Sequence, residues 1–199
     1  DWPGWFGTLT VPESQQAIEK AQHTFPEQVL ENGKAWKEMF HRYIAGGLGL
    51  VILAIAFTAW LRRRELQQSP FLATSLVGLV AFQAALGMWT VTMLLKPVIV
   101  TLHLLGGLAT LALLVWLGLR QEKFQPASLA AVRLRPWALL ALLIVIAQIM
   151  LGGWVSTNYA ALACIDFPTC HGVWVPEMDF RHGFQLVREL GMTAAGTHL

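Results

Sequence analysis

Four apolar stretches limit what this chain can become. Residues 43–61, 71–95, 97–119 and about 136–163 contain no Asp, Glu, Lys or Arg. Each is longer than the roughly 18 residues that suggest a membrane span. Hydrocarbon offers no water to backbone amides and carbonyls, so such segments must close their hydrogen bonds internally, as helices do. The expected fold is all-α: a polytopic membrane bundle with helices at about 37–61, 71–95, 97–119 and 136–158. The composition agrees, with 55% hydrophobic and 13% charged residues, where a soluble domain carries about twice that charged fraction. The net charge of +2 is small and dispersed, which argues against nucleic acid and leaves the lipid bilayer as the surroundings. Nine Trp suit a protein with two membrane–water interfaces.

The loops give an orientation. Arg62, Arg63 and Arg64 follow the first stretch, opposed by Glu65 alone; Arg120, Lys123, Arg133 and Arg135 lie between the third and fourth, opposed by Glu122 alone. The positive-inside rule makes both loops cytoplasmic. Residues 1–36, the turn at Lys96-Pro97 and the loop 159–199 are then outside, which in a bacterial inner (cytoplasmic) membrane is the periplasmic side. Residues 1–36 are polar and broken by Pro3, Pro12 and Pro26. Thr10 with Glu13, and Thr24 with Glu27, have capping-box spacing and predict two short helices outside the membrane. His23 in this loop reads as a solvated surface histidine. Asp1 is not an initiator, no signal peptide is visible, and the chain stops at Gly196-Thr197-His198-Leu199 without an anchor. These ends read as those of an internal piece of a longer protein.

A repeat runs through the spans. Residues 82–92 parallel residues 147–157: Gln83 and Gln148, Leu86 and Leu151, Gly87 and Gly152, and Thr92 and Thr157 recur in phase. The pattern favours a duplicated helix pair, since weak internal symmetry is common in membrane folds. Gln83 and Gln148 read as interhelical hydrogen-bonders.

The ionisable residues at the span edges carry the chemistry. Glu38, His41 and Arg42 share one helical face by their spacing, and ionisable groups at the edge of a bilayer core read as functional by default. His103 lies about one turn into the third stretch, which runs in the same direction as the first. Both imidazoles sit within roughly 10 Å of the outer face at 1.5 Å per residue. Two histidines at one depth on separate helices are what bis-imidazole ligation of a haem iron requires. Ala45, Gly46, Gly47 and Gly49 follow His41, and Gly106, Gly107 and Thr110 follow His103; their small size suits a flat macrocycle against the backbone, or simply close helix packing. Glu38 can move protons, orient His41, or form an i,i+4 pair with Arg42. Arg42 can equally bind a haem propionate. The spacing does not choose among these roles.

The only cysteines are Cys164 and Cys170, in the outside loop Cys-Ile-Asp-Phe-Pro-Thr-Cys-His-Gly. An oxidising compartment makes a disulfide their natural state, worth roughly 2–3 kcal/mol across so small a loop in the chain-entropy model. It serves equally as a staple or as an exposed redox pair. The spacing excludes the CxxCH motif of covalent haem. A zinc site with His171 lacks an evident fourth ligand.

Glu38-Met39-Phe40-His41-Arg42 resembles the Glu-x-x-His-Arg signature of the haem A synthase family. Asp1-Trp2-Pro3-Gly4 resembles the end of that family's first outside loop. Leu151-Gly152-Gly153-Trp154-Val155, leading to Cys164-Ile165-Asp166-Phe167-Pro168-Thr169-Cys170, is similar to the start of its second half. The resemblance implies an eight-helix architecture in two duplicated halves, of which this chain holds helices two to five. It implies an oxidoreductase that converts the C8 methyl of haem O to a formyl group, giving haem A for terminal oxidases. On this pattern His41 and His103 are the axial ligands of the haem O iron, Glu38 is the catalytic carboxylate and Cys164–Cys170 is the loop disulfide. Haem b belongs to the other half, with ligands beyond residue 199, and His171, His182 and His198 are assigned no role. Haem O synthase and oxidase assembly factors are the implied protein partners. Many members also carry a cysteine pair in the first outside loop, where this chain has Trp5. The alternative from another class is a membrane b-type cytochrome that passes electrons without catalysis and has no need of Glu38.

Overall fold

Each apolar stretch becomes a helix in the computed structural model, and the helices pair into hairpins. The structure describes residues 10–11, 14–24, 32–66, 68–93, 95–122, 128–160 and 163–186. Seven helices follow in order among them: α1 (Gln15–Thr24), α2 (Asn32–Leu61), α3 (Arg63–Leu66), α4 (Phe71–Thr92), α5 (Pro97–Leu119), α6 (Leu129–Thr157) and α7 (Phe180–Gly183). Four of them are long and apolar enough to cross a membrane: Ala35–Leu61 of α2, and α4, α5 and α6 over their full lengths. No strand occurs among the described residues, only an isolated bridge between Cys170 and Val173. The all-α class inferred from the sequence holds.

The helix ends follow local chemistry rather than the ends of the apolar stretches. Ser14, not Thr10, caps α1: its Oγ accepts the Ala17 amide at 3.2 Å. Glu13, Glu27 and the second short helix expected after Thr24 lie outside the described residues. Helix α4 stops at Thr92, and Leu95 beyond it takes a left-handed φ of 57°. Pro97 then opens α5, where its missing N–H costs nothing. Helix α6 starts at Leu129 because Ser128 caps it, accepting the Ala131 amide at 3.2 Å, and Pro136 lies inside the helix.

The chain divides into two units, 1–92 and 93–199. In the first, α2 and α4 pack antiparallel: Gly49 faces Val80, and Trp60 Nε1 donates to Thr74 Oγ1 at 2.9 Å. Ile52 and Ala56 of α2 and Ala73, Leu76, Gln83 and Leu86 of α4 are buried. The Arg63 guanidinium lies over the Trp60 ring at 5.4 Å, a contact that suits the end of a span. At the other end of α2, Ala35 and Met39 form a small core with Val11.

In the second unit, α6 packs antiparallel on α5, where Gly153 meets Thr101 and Leu104. The repeat recurs here as structure. Thr92 and Thr157 are the last residues of α4 and α6. Each turns its Oγ1 back to the carbonyl four residues earlier, Met88 at 3.2 Å and Gly153 at 2.8 Å. Gln83 is buried, but its Nε2 has no hydrogen-bond partner among the described residues, and Gln148 is exposed. Among the described residues, neither forms the interhelical bond expected of it.

A Cβ on Gly153 would stand 3.1 Å from Leu104 Cδ2 and 3.6 Å from Thr101 Cγ2, whereas one on Gly152 would meet nothing within 4 Å. Gly153→Val should therefore lower the unfolding free energy of the detergent-solubilised full-length protein by about 1–3 kcal/mol, the usual range for overpacking. Gly152→Val should leave it within about 0.5 kcal/mol, as for a surface substitution. Thermal unfolding of the two variants checks the contrast.

Candidate functional site

The first cluster stands where α2 becomes apolar. Glu38 and Arg42 are one helical turn apart and meet: Arg42 Nη2 donates to Glu38 Oε1 at 2.5 Å. Arg42 is the more enclosed partner, with 16% of its side chain exposed against 36% for Glu38. Its Nη1 lies 3.9 Å from Met39 Sδ, over the core formed by Ala35 and Met39. Packing on Met39 thus fixes the guanidinium, and the guanidinium fixes the carboxylate. Of the three roles open to Glu38, pairing with Arg42 is realised. His41 lies on the exposed surface of the same helix, one turn beyond Glu38. Farther along, Gly46 and Gly47 have open space where a side chain would project.

The second cluster belongs to the other unit. His103 is half-buried on α5, and its Nδ1 is closed off from solvent. Thr101 and Thr110 on this helix are buried; Thr110 Oγ1 donates to the Gly106 carbonyl at 2.8 Å. Gly107, one turn after His103, again has open space beside it. His41 and His103 lie the same number of residues after Ala35 and Pro97, where their candidate spans begin.

The loop after α6 brings the cysteines together. Cys164 and Cys170 form a disulfide, so neither sulfur is a thiolate able to bind zinc with His171. Cys170, His171, Gly172 and Val173 make a two-residue reverse turn. The Cys170 amide donates to the Val173 carbonyl at 2.9 Å and the Val173 amide to the Cys170 carbonyl at 3.2 Å. His171 and Gly172 have φ of 53° and 77°, the left-handed pair that a type I′ turn requires. The Asp166 carboxylate fills the inside of the loop. Its Oδ1 accepts the His171 amide at 2.7 Å, and its Oδ2 accepts the Gly172 amide at 2.9 Å and the Thr169 hydroxyl. These bonds, the one from Thr169 first, hold its carboxyl at about 2, below the ordinary 3.8.

Farther on, Asp179 accepts the His182 amide at 3.0 Å and also contacts the His182 ring, which lowers its pKa. Trp154 ties this segment to α6, donating from Nε1 to the Gly183 carbonyl at 2.8 Å and stacking on Phe184, which stacks on Phe180. His198 lies outside the described residues.

Sequence reasoning missed Asp166. Its signal was present in the residue before a glycine, His171-Gly172, three residues beyond the Pro168 that closes the bend. Because its folded pKa is depressed, the order Asp166 imposes is fully present above 3.8 and is lost as pH falls through about 2. Protection of the His171 and Gly172 amides from hydrogen exchange should be flat from neutrality down to 3.8 and vanish across that acid window. Mass-spectrometric exchange on the loop peptide measures it.

Comparison with known proteins adds kinship to this geometry. The family model described as Cytochrome oxidase assembly protein matches residues 1–194. A Heme A synthase of Shewanella oneidensis is 45% identical over 186 residues, covering 92% of this chain and 56% of that protein. Heme A synthases of Halalkalibacterium halodurans and a Caulobacter species are each 31% identical, over 71% and 76% of this chain and 49% and 46% of their own lengths. The chain thus spans about half the length of the curated relatives it matches. No solved structure gives a significant match. With four candidate spans and a family match over nearly its whole length, the chain is a multi-pass membrane protein that belongs to the cytochrome oxidase assembly protein family.

Proposed function

We propose that this chain is the haem O-binding half of a haem A synthase-type oxidoreductase, in which His41 and His103 hold the iron and Glu38 serves the oxidation of the C8 methyl to formyl. The observation that carries the reading is the Glu38–Arg42 pair at 2.5 Å, one turn before His41. A cytochrome that only passes electrons has no use for a carboxylate held there. The names of the relatives supply the product, haem A.

The residues suit a haem. The open space beside Gly46, Gly47 and Gly107 lies within two turns of each histidine on its own helix and leaves room for a flat ring. Nδ1 of His103 is shut off from solvent, so iron would have to approach Nε2. The equal distance of the two imidazoles from the starts of their spans supports a shared depth. With the arginine-rich loops in the cytoplasm, that depth lies near the periplasmic face of the inner membrane.

Bringing a methyl carbon to the formyl level adds one oxygen atom and, with water as its formal source, releases four protons and four electrons, the electrons to an external acceptor. Glu38 Oε2, the oxygen not engaged by Arg42, is the proton acceptor in this reading, and the ion pair keeps the carboxylate in place between turnovers. Arg42 can shift its second nitrogen toward a propionate without releasing Glu38, because its fork carries five N–H donors. His41 and His103 would hold the iron, and Glu38 would serve the methyl oxidation as the proton acceptor. Haem O synthase as donor of the substrate and oxidase assembly factors as recipients of the product complete the proposal.

In the full-length protein, Glu38→Gln should keep its haem and Soret band while haem A formation falls on the order of 10²–10⁴-fold, the range for loss of a general base. Undiminished haem A in extracted pigment removes Glu38 from the chemistry, and haem b as the sole pigment of the unaltered protein favours the cytochrome. His103→Ala should abolish low-spin haem in this half, seen as loss of the corresponding absorbance and paramagnetic resonance signals. Full retention of both would displace His103 as a ligand.

A further inference from the structure

We infer that Asp166 sets the redox poise of the Cys164–Cys170 bridge, holding it closed as a structural clasp rather than leaving it available as an electron-transfer pair. The side chains on either side of Asp166 cannot order this loop by burial: Ile165 is 84% exposed and Phe167 98%. Beyond the turn, Trp174 and Val175 are each 76% exposed. What remains is the set of hydrogen bonds that converge on one carboxylate.

Those bonds come from Thr169, His171 and Gly172, the residues on both sides of Cys170. They fix the turn that presents Cys170 without help from the sulfur–sulfur bond. After reduction the two thiols would stay apposed, at a high effective concentration that favours reclosure. The charge acts in the same direction. The carboxylate is bonded to the two amides that follow Cys170, so it occupies donors that would otherwise stabilise a thiolate there and adds negative charge beside it. A raised thiol pKa makes Cys170 a poorer leaving group when an external thiolate attacks Cys164, and reduction slows.

The reaction in question is ordinary exchange. Two external thiols give up two electrons and form their own disulfide, while the protein's S–S bond breaks to two thiols. Asn cannot replace Asp166, because both carboxylate oxygens accept donors and an amide would turn its NH2 against one set.

The test equilibrates purified full-length protein with reduced and oxidised glutathione and traps free thiols with a polyethylene-glycol maleimide, read as a gel shift. Asp166→Asn should move the equilibrium constant toward the dithiol by roughly tenfold, about 30 mV for a two-electron couple. Thr169→Val removes one bond, keeps the charge and the side-chain shape, and should move it by roughly threefold, as loss of one hydrogen bond does. It also decides the matter if the Asn variant fails to fold. Equilibrium constants within twofold of the unaltered protein in every variant that folds would overturn the inference.

Discussion

A backbone amide in hydrocarbon has no water to turn to, and this demand organises the molecule. It converts the four apolar stretches into helices, and it also governs their few hydroxyls. Thr58, Thr74, Ser75 and Thr110 each donate to the carbonyl four residues earlier, at 2.8–3.0 Å. Thr74 also accepts from Trp60 Nε1 of α2 at 2.9 Å, so its hydroxyl serves two helices. Glu38 and Arg42 meet the same demand by pairing with each other one turn apart. Once such local solutions are subtracted, the Gln83 amide nitrogen and the Thr101 hydroxyl remain buried without a hydrogen-bond partner among the described residues.

Where the chain leaves the bilayer, different forces order it. The loop after α6 buries little apolar surface, and two aspartates do the work that side-chain packing does elsewhere. Asp166 gathers amides from a turn five and six residues ahead, and Asp179 caps the short α7. A carboxylate with several donors stays ionised far into acid, so this order is insensitive to pH wherever the protein functions. Trp154 adds a long-range tie, joining the last turns of α6 to Gly183 and Phe184. The disulfide belongs to this same economy of small polar and covalent constraints, since it closes a loop that has no core.

How much of this was legible in the sequence depends on the range of the interaction. The existence and order of the spans follow from composition alone. Their ends do not: hydropathy marks where charges stop, whereas a helix stops where its backbone finds a cap or a turn. Hence α6 extends through Arg133 and Arg135 back to Ser128, and α4 ends at Thr92 before the turn at Leu95. The Glu38–Arg42 contact was readable because an i,i+4 pair on a helix is a local fact. The cysteine pair was readable because no other cysteine exists. Asp166 was not, since its role depends on two left-handed residues that fold its acceptors' partners inward. Trp154 was not, because its partner lies 29 residues away.

The two hairpins share a plan, and their difference is informative. In each, the first helix carries a histidine near its start, and the second ends in the Gln-Leu-Gly-to-Thr pattern with a terminal threonine folded back on its own carbonyls. A duplication of this kind supplies two equivalent imidazoles. It does not supply two acids. The positions that correspond to Glu38 and Arg42, three before and one after His103, are Val100 and Leu104. Leu104 instead packs against Gly153 of α6. In the proposed function, ligation draws on what the copies have in common, and proton chemistry on the point where they differ. Two identical hairpins would each offer an imidazole, but neither would carry an acid that the other lacks. In the proposed function, the single carboxylate paired with a single arginine on one copy supplies that asymmetry.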